Sequence, residues 1–139
     1  MILIPDVKKK KFGVFGLGLS GVATCEALAQ SGAQVFSFDE NRPARDKVAD
    51  TEYRCEHPKN WPWKELDAVI VSPGVPLTHP KPHAIVRKAK MEKVDVIGDT
   101  ELFARALNAL EPRARPRVIG VTGSNGKSTT TALIGHMLK

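Results

Sequence analysis

Near the end of the chain, Thr122-Gly123-Ser124-Asn125-Gly126-Lys127-Ser128-Thr129 follows the apolar run Val118-Ile119-Gly120-Val121. Two glycines, a lysine and a cluster of hydroxyls at this spacing are the parts of a phosphate loop. Gly123 and Gly126, flanking Ser124 and Asn125, let backbone N–H groups point inward, and a helix beginning here presents its positive end to the same anion. Lys127 brings a mobile point charge to the outer phosphates and is the catalytic candidate. Ser128 is placed to offer its hydroxyl to a magnesium ion, with Thr129 as a second candidate. The strict G-x-x-x-x-G-K-[ST] pattern requires glycine where Val121 stands, so the motif is a shorter variant. The bland alternative is a glycine turn before an ordinary helix.

A second anion site is written near the other end. Gly16-Leu17-Gly18-Leu19-Ser20-Gly21 is a full G-x-G-x-x-G behind the short apolar run Lys11-Phe12-Gly13-Val14-Phe15. Asp39 ends the next apolar run, where a dinucleotide fold places the carboxylate that holds a ribose. Any pyrophosphate can use the amides around Gly18 to Gly21, so the pattern does not by itself name a dinucleotide. The competing reading is that the glycines serve a tight turn and close packing while Asp39 caps a loop. A third loop, Ser72-Pro73-Gly74-Val75-Pro76, follows another apolar run, in the position where open α/β sheets gather ligands.

These loops need a sheet to hold them. Strands are expected at 11–15, 34–39, 52–55, 67–71, 94–97 and 117–121. Helices are expected at 20–31, with Val22, Cys25, Leu28 and Ala29 on one face, from Pro43, and at 82–93, with Ile85, Val86 and Ala89 inward. A further helix, capped by Asp99 or Thr100, carries Leu102, Phe103, Ala106, Leu107 and Leu110 on its apolar face. The last follows the phosphate loop and carries Leu133, Ile134, Met137 and Leu138. Strands alternating with helices imply an α/β fold with a parallel sheet covered by helices. Trp61 and Trp63 are expected to pack over an edge.

The 139 residues are 42% hydrophobic and 26% charged, an ordinary balance for one good core. Met1 to Pro5 is too short an apolar run for a signal peptide, and no stretch has the length of a membrane span, so a cytoplasmic protein is expected. Lys plus Arg number 21 against 15 acidic residues, a net charge of +6 that favours anionic partners. Nucleic acid is not expected: apart from Lys8 to Lys11 the charge is dispersed, and at 6% aromatic there is no stacking platform. Cys25 and Cys55 lack metal spacing and read as free thiols, Cys25 in the core. His79 and His83 are four apart, but Pro80 and Pro82 argue against the regular helix that a metal pair needs. His57 and His136 have no obvious partners.

In order, Gly16 to Gly21, Ser72-Pro73-Gly74-Val75, Gly98-Asp99-Thr100-Glu101-Leu102-Phe103 and the Thr122 to Thr129 loop resemble the Mur ligase family, which also includes folylpolyglutamate synthetases. The resemblance spans the chain apart from 41–64. It implies a Rossmann-like sheet followed by the beginning of a P-loop ATPase central domain, with the boundary placing a UDP-sugar-binding unit at 1–97 and a truncated ATP-binding unit at 98–139. Composition alone would divide the chain at Glu111-Pro112-Arg113-Ala114-Arg115-Pro116.

The resemblance also implies peptidoglycan precursor synthesis. ATP would phosphorylate the carboxylate of UDP-N-acetylmuramoyl-L-alanine, and the amine of D-glutamate would attack the acyl phosphate. By position, Leu19 and Ser20 fall in the loop that meets the UDP diphosphate, Asp39 and Glu40 at the uridine, and Gly74 in the facing loop. Lys127 and Ser128 fall to ATP and Mg2+. Glu40-Asn41-Arg42 stands where the family usually has smaller or basic residues. The expected protein is a monomer without nucleic-acid or membrane partners, and the chain is the N-terminal portion of a longer enzyme. Two rivals come from other classes. One is an NAD-type dinucleotide-binding domain of an oxidoreductase, which leaves the Lys127 loop unexplained; the other is a nucleotide-sugar-binding module without catalysis.

Overall fold

The computed structural model describes residues 3–49 and 51–138. Met1 and Ile2 of the opening apolar run, Asp50, and Lys139 of the expected second unit lie outside the described residues. Five strands, β1 (Lys11–Phe15), β2 (Gln34–Phe38), β3 (Arg54–Cys55), β4 (Ala68–Val71) and β5 (Asp95–Gly98), form one parallel sheet in the order β3-β2-β1-β4-β5. The helices are α1 (Leu19–Gln30), α2 (Arg42–Asp46), α3 (Ala84–Met91), α4 (Asp99–Asn108) and α5 (Lys127–Met137). This is the expected Rossmann-like arrangement, and β1 lies at its centre.

Alternation along each strand explains why both faces are covered. Phe12 and Val14 of β1, Val35 of β2 and Ile70 of β4 turn to one side, where Cys25 and Leu28 of α1 and Leu102 and Ala106 of α4 meet them. Phe15, Phe36, Val69 and Val71 turn to the other, against Ile85, Val86 and Ala89 of α3. β4 is buried at all four positions and reads Ala-Val-Ile-Val, apolar throughout, as suits a strand covered on both faces. Val69 and Ile70 are 0% and 1% exposed, and burying such a side chain is worth about 1.5–3 kcal/mol.

The tryptophans depart from expectation. Trp61 and Trp63 do not cover an edge. They are buried beneath the sheet, and the Trp61 ring occupies the space that Gly13 of the central strand leaves open. Two short 3-10 turns, Pro58–Asn60 and Trp63–Glu65, bring them there. Their indole N–H groups donate to the carbonyls of Glu56 and Pro58 at 3.0 and 2.7 Å, so both polar handles are satisfied inside. The Gly13 signal was available, but pairing it with a tryptophan 48 residues later required the fold.

Three further expectations are corrected. Gly98, not Asp99 or Thr100, is the N-cap of α4; Asp99 is already helical, and its Oδ1 accepts the Thr100 N–H at 2.7 Å. On the α4 face Leu102 and Ala106 are buried, while Phe103 and Leu110 are 37% and 38% exposed. The strand expected at 117–121 is not formed. Val118 and Ile119 are 62% and 61% exposed, because no strand among the described residues pairs with them. Leu133 and Met137 of α5 are likewise exposed. The described residues therefore hold the Gly123–Lys127 loop and α5 but not a P-loop domain.

Candidate functional site

The chain leaves β1 for β2 on one side and reaches β4 on the other, so β1 and β4 are neighbours whose following loops diverge. A crevice at the carboxyl ends of such strands is where doubly wound sheets bind ligands. The Gly16 to Gly21 loop and the Ser72 to Gly74 loop meet there. Ser72 Oγ donates to the Gly16 carbonyl at 3.0 Å, the Ser72 N–H donates to the Phe15 carbonyl at 3.0 Å, and the Gly16 N–H donates to the Phe38 carbonyl at 2.9 Å. The loop after β1 is thus stitched to β4 and β2 together.

Its three glycines are not equivalent. Gly16 turns the chain at φ +98°, and a Cβ there would lie 2.5 Å from Ser72 Oγ. A Cβ on Gly21 would stand 1.8 Å from the Gly16 carbonyl oxygen, so this glycine allows α1 to pack on the turn. Gly18 faces open space, with nothing within 4 Å of where its Cβ would be. It is also the N-cap of α1, no side chain caps that end, and no acidic residue occupies the first turn. The first-turn amides, including those of Ser20 and Gly21, have no intrahelical acceptor. Beside them the Leu19 side chain is 97% exposed. The opening around Gly18 suits a diphosphate.

Asp39 follows β2. Its Oδ2 accepts the Leu17 N–H at 2.6 Å and its Oδ1 accepts the Asn41 N–H at 2.7 Å. The carboxylate therefore ties the glycine loop to the end of β2, the loop-capping role set against a ribose contact above. Arg45 Nη1 donates to the carbonyls of Asp39 and Glu40 at 2.7 and 2.9 Å, and its guanidinium lies 5.1 Å from the Phe38 ring centre. Gly74 is exposed in the loop after β4.

The second constellation stands apart on exposed chain. Gly126 caps α5 in the left-handed region at φ +75°, which leaves the amides of Lys127, Ser128 and Thr129 at the helix start. Lys127 Nζ donates to the Gly123 carbonyl at 2.6 Å, folding back across the loop that Ser124 and Asn125 complete. Amides, one ammonium and hydroxyl oxygens form a donor set that fits a phosphate chain. The hydroxyls of Ser128 and Thr129 suit magnesium, which favours oxygen ligands and keeps several waters. Among the described residues no three His, Cys, Asp or Glu converge to hold a metal ion.

One feature was not foreseen. A cleft of about 280 Å³ opens at the carboxyl ends of β1 and β2, on the α3 side, lined by Phe15, Phe38, Glu40, His57, Lys59 and His83. His83 is the N-cap of α3 and His57 that of the first 3-10 turn. The Phe15 and His83 ring centres are 4.9 Å apart, as are those of Phe38 and His57. Proline beside each histidine, at a helix start, was the available signal. His79 lies in the loop before α3, so it and His83 do not share a helix. Cys25 is no nucleophile: burial first, and Cys55 second, push its thiol up to about 12. No helix among the described residues is long and apolar enough to cross a membrane.

Several known proteins are similar to this chain in sequence. The UDP-N-acetylmuramoylalanine--D-glutamate ligase of Caulobacter vibrioides (strain NA1000 / CB15N) is 45% identical over 137 residues, 99% of this chain and 29% of that protein. The protein of the same name from Rhizobium johnstonii is 47% identical over 139 residues, again 29% of its length. The chain thus spans under a third of these relatives. A crystal structure of shikimate dehydrogenase from Aquifex aeolicus shares the fold at a TM-score of 0.55 and 18% identity, covering 83% of this chain and 53% of that one. The family profile described as "Mur ligase MurD-like, N-terminal domain" matches residues 10–98, from the start of β1 to the end of β5. With that match over most of its length, the chain belongs to the Mur ligase family as a MurD-like N-terminal domain.

Proposed function

We propose that this chain is the nucleotide-sugar-binding portion of a cytoplasmic ligase that joins D-glutamate to UDP-N-acetylmuramoyl-L-alanine in peptidoglycan precursor synthesis. The observation that carries the reading is that the match to relatives named as this ligase, at 45% and 47% identity, extends over 99% and 100% of the chain. Residues 1–97 would form the UDP-sugar unit and 98–139 the start of the ATP-binding unit, in keeping with a family match that ends at 98. In the first unit the amides around Gly18, Leu19, Ser20 and Gly21 take the diphosphate, Asp39 and Glu40 the uridine, and Gly74 closes from the facing loop. In the second, the amides from Gly123 to Thr129 cradle ATP, Lys127 follows the transferring phosphoryl group, and Ser128 holds Mg2+. ATP supplies the phosphoryl group that converts a carboxylate, a poor electrophile, into an acyl phosphate. The protein's part is to bring two anions together and offset their charge.

Calorimetry tests the first unit. The chain should bind UDP-N-acetylmuramoyl-L-alanine and not NADH. Asp39→Ala removes the acceptor of two loop amides as well as a ribose contact. Hydrogen bonds to a charged group are worth about 1.5–3 kcal/mol, so affinity should fall roughly tenfold or more. Equal binding by parent and variant would remove Asp39 from the site.

The isolated chain should also show no ligase turnover, since its α5 face is uncovered and no carboxylate cluster for a metal exists among the described residues. Phosphate release that requires both UDP-N-acetylmuramoyl-L-alanine and D-glutamate would contradict this.

A further inference from the structure

Asp39 ties the glycine loop to the end of β2, but a carboxylate can fix a loop only from a backbone that is itself fixed. We propose that Arg45 is the positioning residue that fixes it: by clamping the carbonyls of Asp39 and Glu40 it sets the Asp39 carboxylate, and through that carboxylate the amides that meet the diphosphate. This rests on the nucleotide-sugar reading above.

The backbone needs such a clamp. The Gly16 N–H to Phe38 carbonyl bond, at 2.9 Å, closes the pairing of β1 with β2, and Asp39 and Glu40 lie beyond it. The chain then enters α2, a helix of five residues with none fully buried, so little apolar packing holds this turn. Arg45 lies one helical turn past the N-cap Asn41, and its side chain reaches back. Nη1 donates to the Asp39 carbonyl at 2.7 Å and to the Glu40 carbonyl at 2.9 Å. The guanidinium lies 5.1 Å from the Phe38 ring centre, within cation–π range. One planar group thus grips the last residue of β2 and the two residues after it. Lysine would keep the charge but not the flat stack or the fixed fork of donors.

The grip leads to the loop through two charge-assisted bonds, each roughly twice as strong as a neutral one. Asp39 Oδ1 accepts the Asn41 N–H at 2.7 Å, which fixes the carboxylate relative to the clamped turn. Oδ2 accepts the Leu17 N–H at 2.6 Å. Leu17 is the second residue of the Gly16 to Gly21 loop and stands directly before Gly18, where the open amides begin. On its other side the loop is held by Ser72 Oγ at the Gly16 carbonyl. Release of Arg45 therefore frees one of two tethers, and the amides at Gly18 to Gly21 lose their preset aim.

The test uses Arg45→Lys in the full 139-residue chain, alone and combined with Asp39→Ala. In the single variant the Leu17 amide should exchange its hydrogen about tenfold faster, the worth of one hydrogen bond to a charged group. Exchange at β1 and β2 and the urea midpoint should match the parent, since α2 buries little. UDP affinity by calorimetry should fall roughly fivefold to tenfold. In the Asp39→Ala background Arg45→Lys should cost no further UDP affinity, because a residue that acts through another has nothing left to act on. An unchanged Leu17 exchange rate or UDP affinity in the single variant overturns the proposal and leaves the nucleotide-sugar reading standing. So does an equal further loss of affinity in the Asp39→Ala background, or faster exchange throughout the sheet with a lowered urea midpoint, which marks a merely structural role. A parent chain that binds no UDP overturns both.

Discussion

On the ligase reading proposed above, Lys127→Ala in the protein that carries this sequence is expected to slow acyl-phosphate formation roughly a hundredfold or more, on the order of 3 kcal/mol of lost transition-state stabilisation. UDP-sugar affinity should hardly change. The substitution leaves the amides of the loop and of α5 where they are, because Gly126 and not the lysine sets the turn. On that reading it deletes a mobile charge beside the transferring phosphate, and a charge that matters most as negative charge shifts acts on the transition state more than on the ground state. In this structure the ammonium is held by the Gly123 carbonyl, a neutral acceptor that a phosphate oxygen readily outcompetes. Both quantities must be measured on one variant. Retained turnover would refute the assignment of Lys127, and so would loss of both functions in a folded protein.

The parts of this chain that were legible in its sequence are those where one residue type has one physical reason to be there. A run such as Ala68 to Val71, short, β-branched and closed by the Ser72-Pro73-Gly74 loop, suits a strand buried on both faces, and it is one. The spacing of Ile85, Val86 and Ala89 could serve only one helix face, and all three are buried. Where two partners far apart in sequence define a feature, reading failed. Trp61 under Gly13 is one case, and the His83–Glu40 contact is another, joining residues 43 positions apart. The strand expected at 117–121 failed for a different reason. Its apolar pattern describes burial between neighbouring strands, and no described strand supplies them.

The glycine loop shows how one motif divides into separate jobs, and the largest stability effect follows from it. Gly21→Ala places a Cβ 1.8 Å from the Gly16 carbonyl oxygen and 2.9 Å from its carbon. Both obstacles are backbone, so no side chain can swing aside; either α1 lifts from the sheet or the turn at Gly16 opens. Overpacking costs about 1–3 kcal/mol, occasionally more, and this contact belongs at the upper end. Against a total stability of about 5–15 kcal/mol, that is a large share. Gly18→Ala is the contrasting case. Nothing lies within 4 Å of the new methyl, the backbone at φ −69° and ψ −171° is open to any residue, and the loss at an N-cap should stay below about 1 kcal/mol. On the proposed reading that methyl nevertheless stands where the diphosphate would approach the first-turn amides, and UDP affinity should fall at least about tenfold, the worth of one charge-assisted hydrogen bond. Urea denaturation and UDP calorimetry on the two variants separate the roles. A Gly21→Ala chain as stable as its parent would refute the packing role, and a Gly18→Ala chain that binds UDP undiminished would move the diphosphate away from this loop.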